Sequence, residues 1–162
     1  MTPEIRPIVP DEVAECVRFG LESFHPGFIS FREQLGADLF NALRPDWEQA
    51  HSRYIEEACG DEDKETWVSL VDGAVAGFIV LVANTDTALG EIELLAVDPD
   101  HQGRGVGTAL NEFAVNRLHE LGMQFAIVST GTGPGHAPAR RSYDKAGFAP
   151  MAIQPQMLVR RL

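Results

Sequence analysis

The spacing of apolar residues changes from helical to strand-like near residue 65. Before that point hydrophobic side chains recur three and four positions apart; after it they fall into short runs bounded by turn residues. A brief run at 5–9 predicts a first strand. Pro10-Asp11 then opens a helix with Val13, Val17, Gly20/Leu21 and Phe24 along one side, and His25-Pro26-Gly27 is expected to end it. Ser30 and Glu33 have the spacing of a capping box, which predicts a second helix through Leu35, Leu39, Phe40 and Leu43. After Pro45 the positions Trp47, Ala50, Tyr54, Ile55 and Ala58 form the face of a third helix, closed by Gly60.

Residues 66–71 and 74–83 read as strands around Asp72-Gly73, a two-residue hairpin signal. A third run lies at 91–97. Residues 106–121 are helical, with Ala109, Leu110, Phe113, Ala114, Leu118 and Leu121 on one side. A strand at 125–130, a Gly/Pro-rich loop at 131–138 and a short helix at 139–146 follow, and the tail predicts strand segments at 148–153 and 157–161. A hairpin followed by strand–helix–strand–helix describes a mixed α/β sheet with helices on its faces.

The 162 residues fit one domain, and the longest apolar run, ten residues at 74–83, is about half of the roughly 20 needed to span a bilayer. Met1-Thr2-Pro3-Glu4 has neither the basic nor the apolar part of a secretory signal, so a cytoplasmic protein is expected. Cys16 and Cys59 have no CxxC context, and the five histidines form no HxH or HExxH pattern; no metal site is expected. The net charge of −11 argues against nucleic-acid and anionic-membrane partners. It is unevenly spread: residues 1–97 carry six Lys/Arg against nineteen Asp/Glu, residues 98–162 seven against five. Two partners of opposite charge would explain the split, and so would solvated acidic faces at 56–57 and 61–63.

The segment 91–110 carries the chemistry. Its strand ends at Asp98-Pro99, and Gly103, Gly105 and Gly107 lead directly into a helix. Such a turn presents backbone N–H groups at the positive end of a helix dipole, a cradle for phosphate. Arg104 adds a guanidinium. The absence of Gly-Lys-Ser/Thr disfavours a nucleoside-triphosphate loop, and GxGxG is not the dinucleotide GxGxxG.

Gln102-Gly103-Arg104-Gly105-Val106-Gly107 resembles the Q/R-x-x-G-x-G/A acetyl-CoA signature of the GNAT superfamily of N-acetyltransferases, and Leu95-Ala96-Val97-Asp98-Pro99 before it is similar too. The segment from Arg140 to Phe148, with Tyr143-x-x-x-Gly147-Phe148, resembles the family's second motif. The resemblance is specific over 66–149 and general over the first 60 residues. It implies a mostly antiparallel sheet splayed between the strands at 91–97 and 125–130, with acetyl-CoA wedged between them and no metal. The pantetheine arm would pair with the backbone of Leu95, Ala96 and Val97, and the pyrophosphate would sit on the N–H groups from Gln102 to Thr108. Tyr143 matches the position that protonates the leaving thiolate. It also implies one domain over 1–162: a helical acceptor region at 1–65, the acetyl-CoA core at 66–149, and a C-terminal strand at 150–162 that would offer an edge for a homodimer.

Where many relatives carry Asn, seven residues before the tyrosine, this chain has His136. Its imidazole N–H would replace the amide's bond to the pantetheine arm, or serve as a second acid/base; an exposed loop histidine is the third alternative. The acceptor amine needs a proton acceptor. Glu91 and Glu93 lie two apart, so both are expected on one strand face, with Leu95 and Val97 following on it. Glu91 matches the base of histone-acetylating relatives, while a solvated strand face is the plainer alternative. The expected activity is transfer of acetyl from acetyl-CoA to a primary amine, a cationic small molecule, by direct attack in a ternary complex. The alternatives are a non-catalytic acyl-CoA-binding module, a protein lysine or N-terminal acetyltransferase, and a longer acyl donor.

Overall fold

The computed structural model describes residues 3–151 and 158–161. Strand β1 (Glu4–Pro7) leads through a 3-10 turn at Pro10–Glu12 into helices α1 (Val13–Leu35), α2 (Ala37–Leu43) and α3 (Trp47–Gly60). Strands β2 (Glu65–Val71), β3 (Ala74–Asn84) and β4 (Leu89–Val97) follow, then α4 (Val106–Glu120), β5 (Phe125–Val128) and α5 (Ala137–Lys145). The sheet order is β1-β2-β3-β4-β5, with every pair antiparallel except β4 with β5, which run parallel. The Asp72-Gly73 hairpin forms with both residues at positive φ, 52° and 81°, the left-handed pair that matches strand twist.

Each sheet face has its own apolar core. On one, Cys16 and Phe19 of α1 and Ile55 and Cys59 of α3 pack on Val68, Phe78, Val80 and Leu94. On the other, Val106, Leu110, Ala114 and Leu118 of α4 pack on Ala76, Ile79, Leu81 and Ile92. Burial drives both thiols above their ordinary pKa, Cys59 to about 11, so neither offers a thiolate at neutral pH. Among the described residues no helix is long and apolar enough to cross a membrane.

The first predicted helix and the start of the second are in fact one, and the rest of the second is the separate α2 beyond Gly36. Helix α1 runs unbroken through Pro26-Gly27 for 23 residues, although an internal proline costs roughly 3 kcal/mol in lost hydrogen bonding and ring clash. Tertiary contact offsets this on both sides of the proline. Upstream, Phe19 is buried against the sheet. Downstream, the chain at 131–136 lies so close that a Cβ at Gly135 would come within 2.3 Å of the Pro26 carbonyl oxygen. Ser30 is therefore a buried mid-helix residue whose carbonyl and hydroxyl oxygens accept from Gln34, rather than the head of a capping box. The helix ends instead at Gly36, with φ 79°.

Other boundaries shift as well. Strand β5 stops at Val128 rather than 130, and α5 begins two residues early, with Pro138 accommodated in its first turn. The tail strands expected at 148–153 and 157–161 fall partly on residues 152–157, outside the described residues; the described flanks at 148–151 and 158–161 form no strand.

Candidate active site

Strands β4 and β5 pair only from Leu89↔Phe125 to Ile92↔Val128. Beyond Ile92, β4 continues to Val97 still bonded to β3, but among the described residues no strand pairs with its other edge. The sheet is thus open alongside Leu95, Ala96 and Val97, and that edge leads into the glycine turn. Gln102 reaches back to donate its amide N–H to the Val97 carbonyl at 3.3 Å.

The turn is shaped by Asp98, which is 5% exposed and accepts from the Asp100 N–H at 2.9 Å and from Arg18 of α1 at 2.8 Å. Burial works against its negative charge, yet these two donors hold its carboxyl below the usual carboxylate range. Gly103 and Gly105 adopt φ of 74° and 84°, and a Cβ at either would point into open space. Helix α4 begins with no side-chain cap and no acidic residue in its first turn. Among the described residues, none of the N–H groups from Gly103 through Val106 and Gly107 to Thr108 donates to a protein acceptor. Six donors without a protein acceptor, the first of them in an open turn, can take an anion. Arg104 stands exposed beside them, with a loose 3.6 Å contact to Asp72.

Helix α5 is tied to α4 by Asn111, fully buried, which donates to the Ser142 hydroxyl at 2.7 Å. The next residue, Tyr143, packs edge-on to Phe148 with ring centroids 6.0 Å apart. Burial pushes the phenol up to about 12, so it is protonated at neutral pH, and its hydroxyl has no partner among the described residues. Such a group is available as a proton donor.

The two glutamates do share a face, but Leu95 and Val97 do not follow them. The β3 register passes from Leu81↔Ile92 to Val80↔Leu94, leaving Glu93 as a bulge. Ile92 consequently belongs to the α4 core and Leu94 to the α1/α3 core, with Leu95 and Val97 returned to the α4 side. The bulge keeps Glu93 on the α3 side beside Glu91. Glu93 Oε1 accepts from the Tyr54 hydroxyl at 2.9 Å and from Lys64 at 3.0 Å, and Oε2 lies 2.9 Å from the same ammonium without hydrogen-bond alignment. Burial and the charges of Glu93 and Glu91 all keep the Tyr54 phenol protonated.

His136 is no exposed loop residue. Its ring fills the space beside two glycines, so that a Cβ at Gly27 or Gly131 would come within 2.8 Å or 2.5 Å of it. Arg140 staples this loop by donating to the carbonyls of Gly131 and Gly133 at 2.6 and 2.8 Å. Burial, then the Arg140 charge, lowers the imidazole pKa. His136 and Tyr54 both line a cavity of about 660 Å³ between α1, α2, α3 and the 131–136 loop.

The sequence model of the Acetyltransferase (GNAT) family matches residues 32–148. The chain belongs to this family. A mycothiol acetyltransferase of Beutenbergia cavernae is 39% identical over 85 residues, covering 52% of this chain and 28% of that protein. A streptothricin acetyltransferase of Escherichia coli is 33% identical over 95 residues, covering 59% and 53%. The chain thus spans well under two thirds of these relatives. In shape it is similar to a putative GNAT acetyltransferase from Desulfovibrio desulfuricans, at TM-score 0.66 and 23% identity over 93% of this chain and 87% of that one.

The GNAT family uses acetyl-CoA, and this chain's residues fit that group: uncapped N–H donors at the start of α4 suit a pyrophosphate, and the open edge of β4 suits an amide-bearing arm. The residues missed in the sequence lie on the acceptor side. Tyr54 reads as one more apolar position of α3, and Lys64 only follows the acidic stretch at 61–63; no spacing links either to Glu93.

Proposed function

We propose that this GNAT chain is an N-acetyltransferase that moves acetyl from acetyl-CoA to a primary amine of a cationic small molecule. Acetyl-CoA would supply an activated thioester. The observation that carries the proposal is the parting of β4 and β5 after Ile92, with an uncapped helix start at one end of the opening and an unpartnered, protonated Tyr143 hydroxyl on the α5 side.

The roles follow from chemistry. Gly103, Arg104, Gly105, Val106, Gly107 and Thr108 bind the pyrophosphate through backbone N–H groups, with the Arg104 charge alongside; the N–H of Gln102, expected to join them, is taken by the Pro99 carbonyl at 3.4 Å. Leu95, Ala96 and Val97 align the donor along the strand edge. Glu91, free of any ion pair among the described residues, takes the proton from the attacking amine. Glu93, held by Tyr54 and Lys64, orients the ammonium before it is deprotonated. Tyr143 donates a proton to the departing thiolate. His136 packs the loop that borders the acceptor cavity. Attack is direct, since both cysteines are buried in the α1/α3 core.

The acidic first 97 residues attract a cation over a Debye length of about 8 Å at physiological salt, so acceptor affinity should weaken as salt rises. The relatives named for mycothiol and streptothricin support a small-molecule acceptor. The test is thiol release from acetyl-CoA against an amine library: release that requires an amine supports the proposal, and acetyl-CoA binding without amine-dependent release makes the chain a binding module.

A further inference from the structure

The acceptor cavity does not carry the charge that the sequence around it suggests. Its walls are mainly aromatic, Phe24, Phe28, Phe31, Trp47 and Tyr54, joined by the imidazoles of His51 and His136, and Phe28 is stacked on Trp47 at 4.2 Å and 21°. Among the described residues not one carboxylate lines it, although the first 97 residues hold nineteen; Glu56, Glu57 and Glu62 are exposed elsewhere on the surface. The carboxylates within reach are Glu91 and Glu93 behind Tyr54, and Lys64 already neutralises Glu93. At the rim stands Arg44, exposed and without a carboxylate partner among the described residues.

From this we infer that the acceptor is a monoamine carried on a flat aromatic body. The ring lies among Phe28, Trp47 and Tyr54, and the amine points to the Tyr54–Glu93 end, where β4 and β5 part. The class rests on the acetyl-transfer proposal. Three physical points support it. A cavity of about 660 Å³ is within the range of roughly 300–1,000 Å³ that buries a small organic ligand. Aromatic walls favour offset or edge contacts with a ring, and the face of Trp47 or Tyr54 tolerates a passing cation. A polyamine, by contrast, needs an acceptor for each ammonium; here it would find aromatic walls, at most one ring nitrogen from each of His51 and His136, and a guanidinium at the exit.

The test compares tryptamine and 2-phenylethylamine with spermidine and an aminoglycoside at saturating acetyl-CoA, following thiol release, and measures amine binding separately by intrinsic fluorescence. The expected result is a kcat/KM for the aryl amines at least tenfold above that for the polycations. Trp47→Ala should raise the aryl-amine KM by roughly tenfold, the loss of one aromatic contact, and leave acetyl-CoA affinity unchanged. Phe28→Leu, a milder change, should do the same to a smaller degree if Trp47→Ala fails to fold. Aryl amines that bind and quench without being acetylated support the class and overturn the transfer proposal instead. Polycations preferred in turnover, or aryl amines that do not bind, overturn the inference.

Discussion

The two sides of the open sheet are built from different materials. The donor side is backbone: the edge of β4, the left-handed glycines 103 and 105, and six N–H groups at the start of α4. The proposed acceptor side is side chain, contributed by three helices and the loop at 131–136, with a bulge on β4 setting Glu93 behind Tyr54. A backbone site recognises what every donor shares, the pyrophosphate and its amide arm. A side-chain site can be rewritten without touching it. Under the proposed assignment donor identity is set by backbone conformation and acceptor identity by side-chain packing, so the two should fail separately under mutation.

The largest effect is expected where the sides meet. Tyr143→Phe keeps the ring against Phe148 and removes one hydroxyl, so turnover should fall by roughly 10²- to 10⁴-fold. Acetyl-CoA affinity should barely move, and the loss should shrink for donors whose thiol has a lower pKa. Steady-state kinetics across such donors are the check; near wild-type kcat would leave water as the proton source.

Glu91→Gln should lower kcat/KM by roughly 10²-fold near pH 6, fading as pH rises and more amine is already deprotonated. Glu93→Gln should act mainly through acceptor KM, because it loosens the bonds to Tyr54 and Lys64. A pH–rate profile for each variant separates the two roles, and reversed behaviour would exchange them.

On the donor side alone, Gly105→Val forces a β-branched residue into φ 84° and puts its side chain into the space facing the phosphates. Acetyl-CoA at 100-fold its Kd stabilises a domain by about 2.7 kcal/mol, a Tm shift of roughly 5 to 11 °C at this size. The variant should lose that shift while retaining aryl-amine binding. A normal shift would remove the glycine turn from the donor site.

The smallest effect concerns pH and sits on the acceptor side. Burial lowers the pKa of His51, and burial with the Arg140 charge lowers that of His136. In the unfolded chain both return to about 6.5. The unfolded state therefore binds more protons as pH falls below that value, and stability drops from about pH 6.5 toward the depressed folded values. His51→Phe, which keeps an aromatic ring beside Phe24 and Phe28, should flatten this slope when Tm is followed from about pH 7.5 to about pH 5.

Much of the donor side was legible in the sequence because its demands are local. Asp72-Gly73 needs left-handed φ at two adjacent residues, and Gly103 and Gly105 need it within one turn; only a few residue types tolerate that geometry. The unbroken apolar run of β3, buried on both faces, and the single apolar face of α4 likewise announce how each is covered. What the tertiary structure decided depends on residues far apart in the chain. Local rules end α1 at Pro26, but contact with the loop at 133–136 carries it through to Leu35. A period of two puts Glu91, Glu93, Leu95 and Val97 on one face, but the bulge against β3 turns the last two away. Tyr54 reads as core until β4 brings Glu93 to its hydroxyl. Backbone conformation is written in neighbouring residues; the acceptor pocket is a set of long-range contacts, and only packing assembles it.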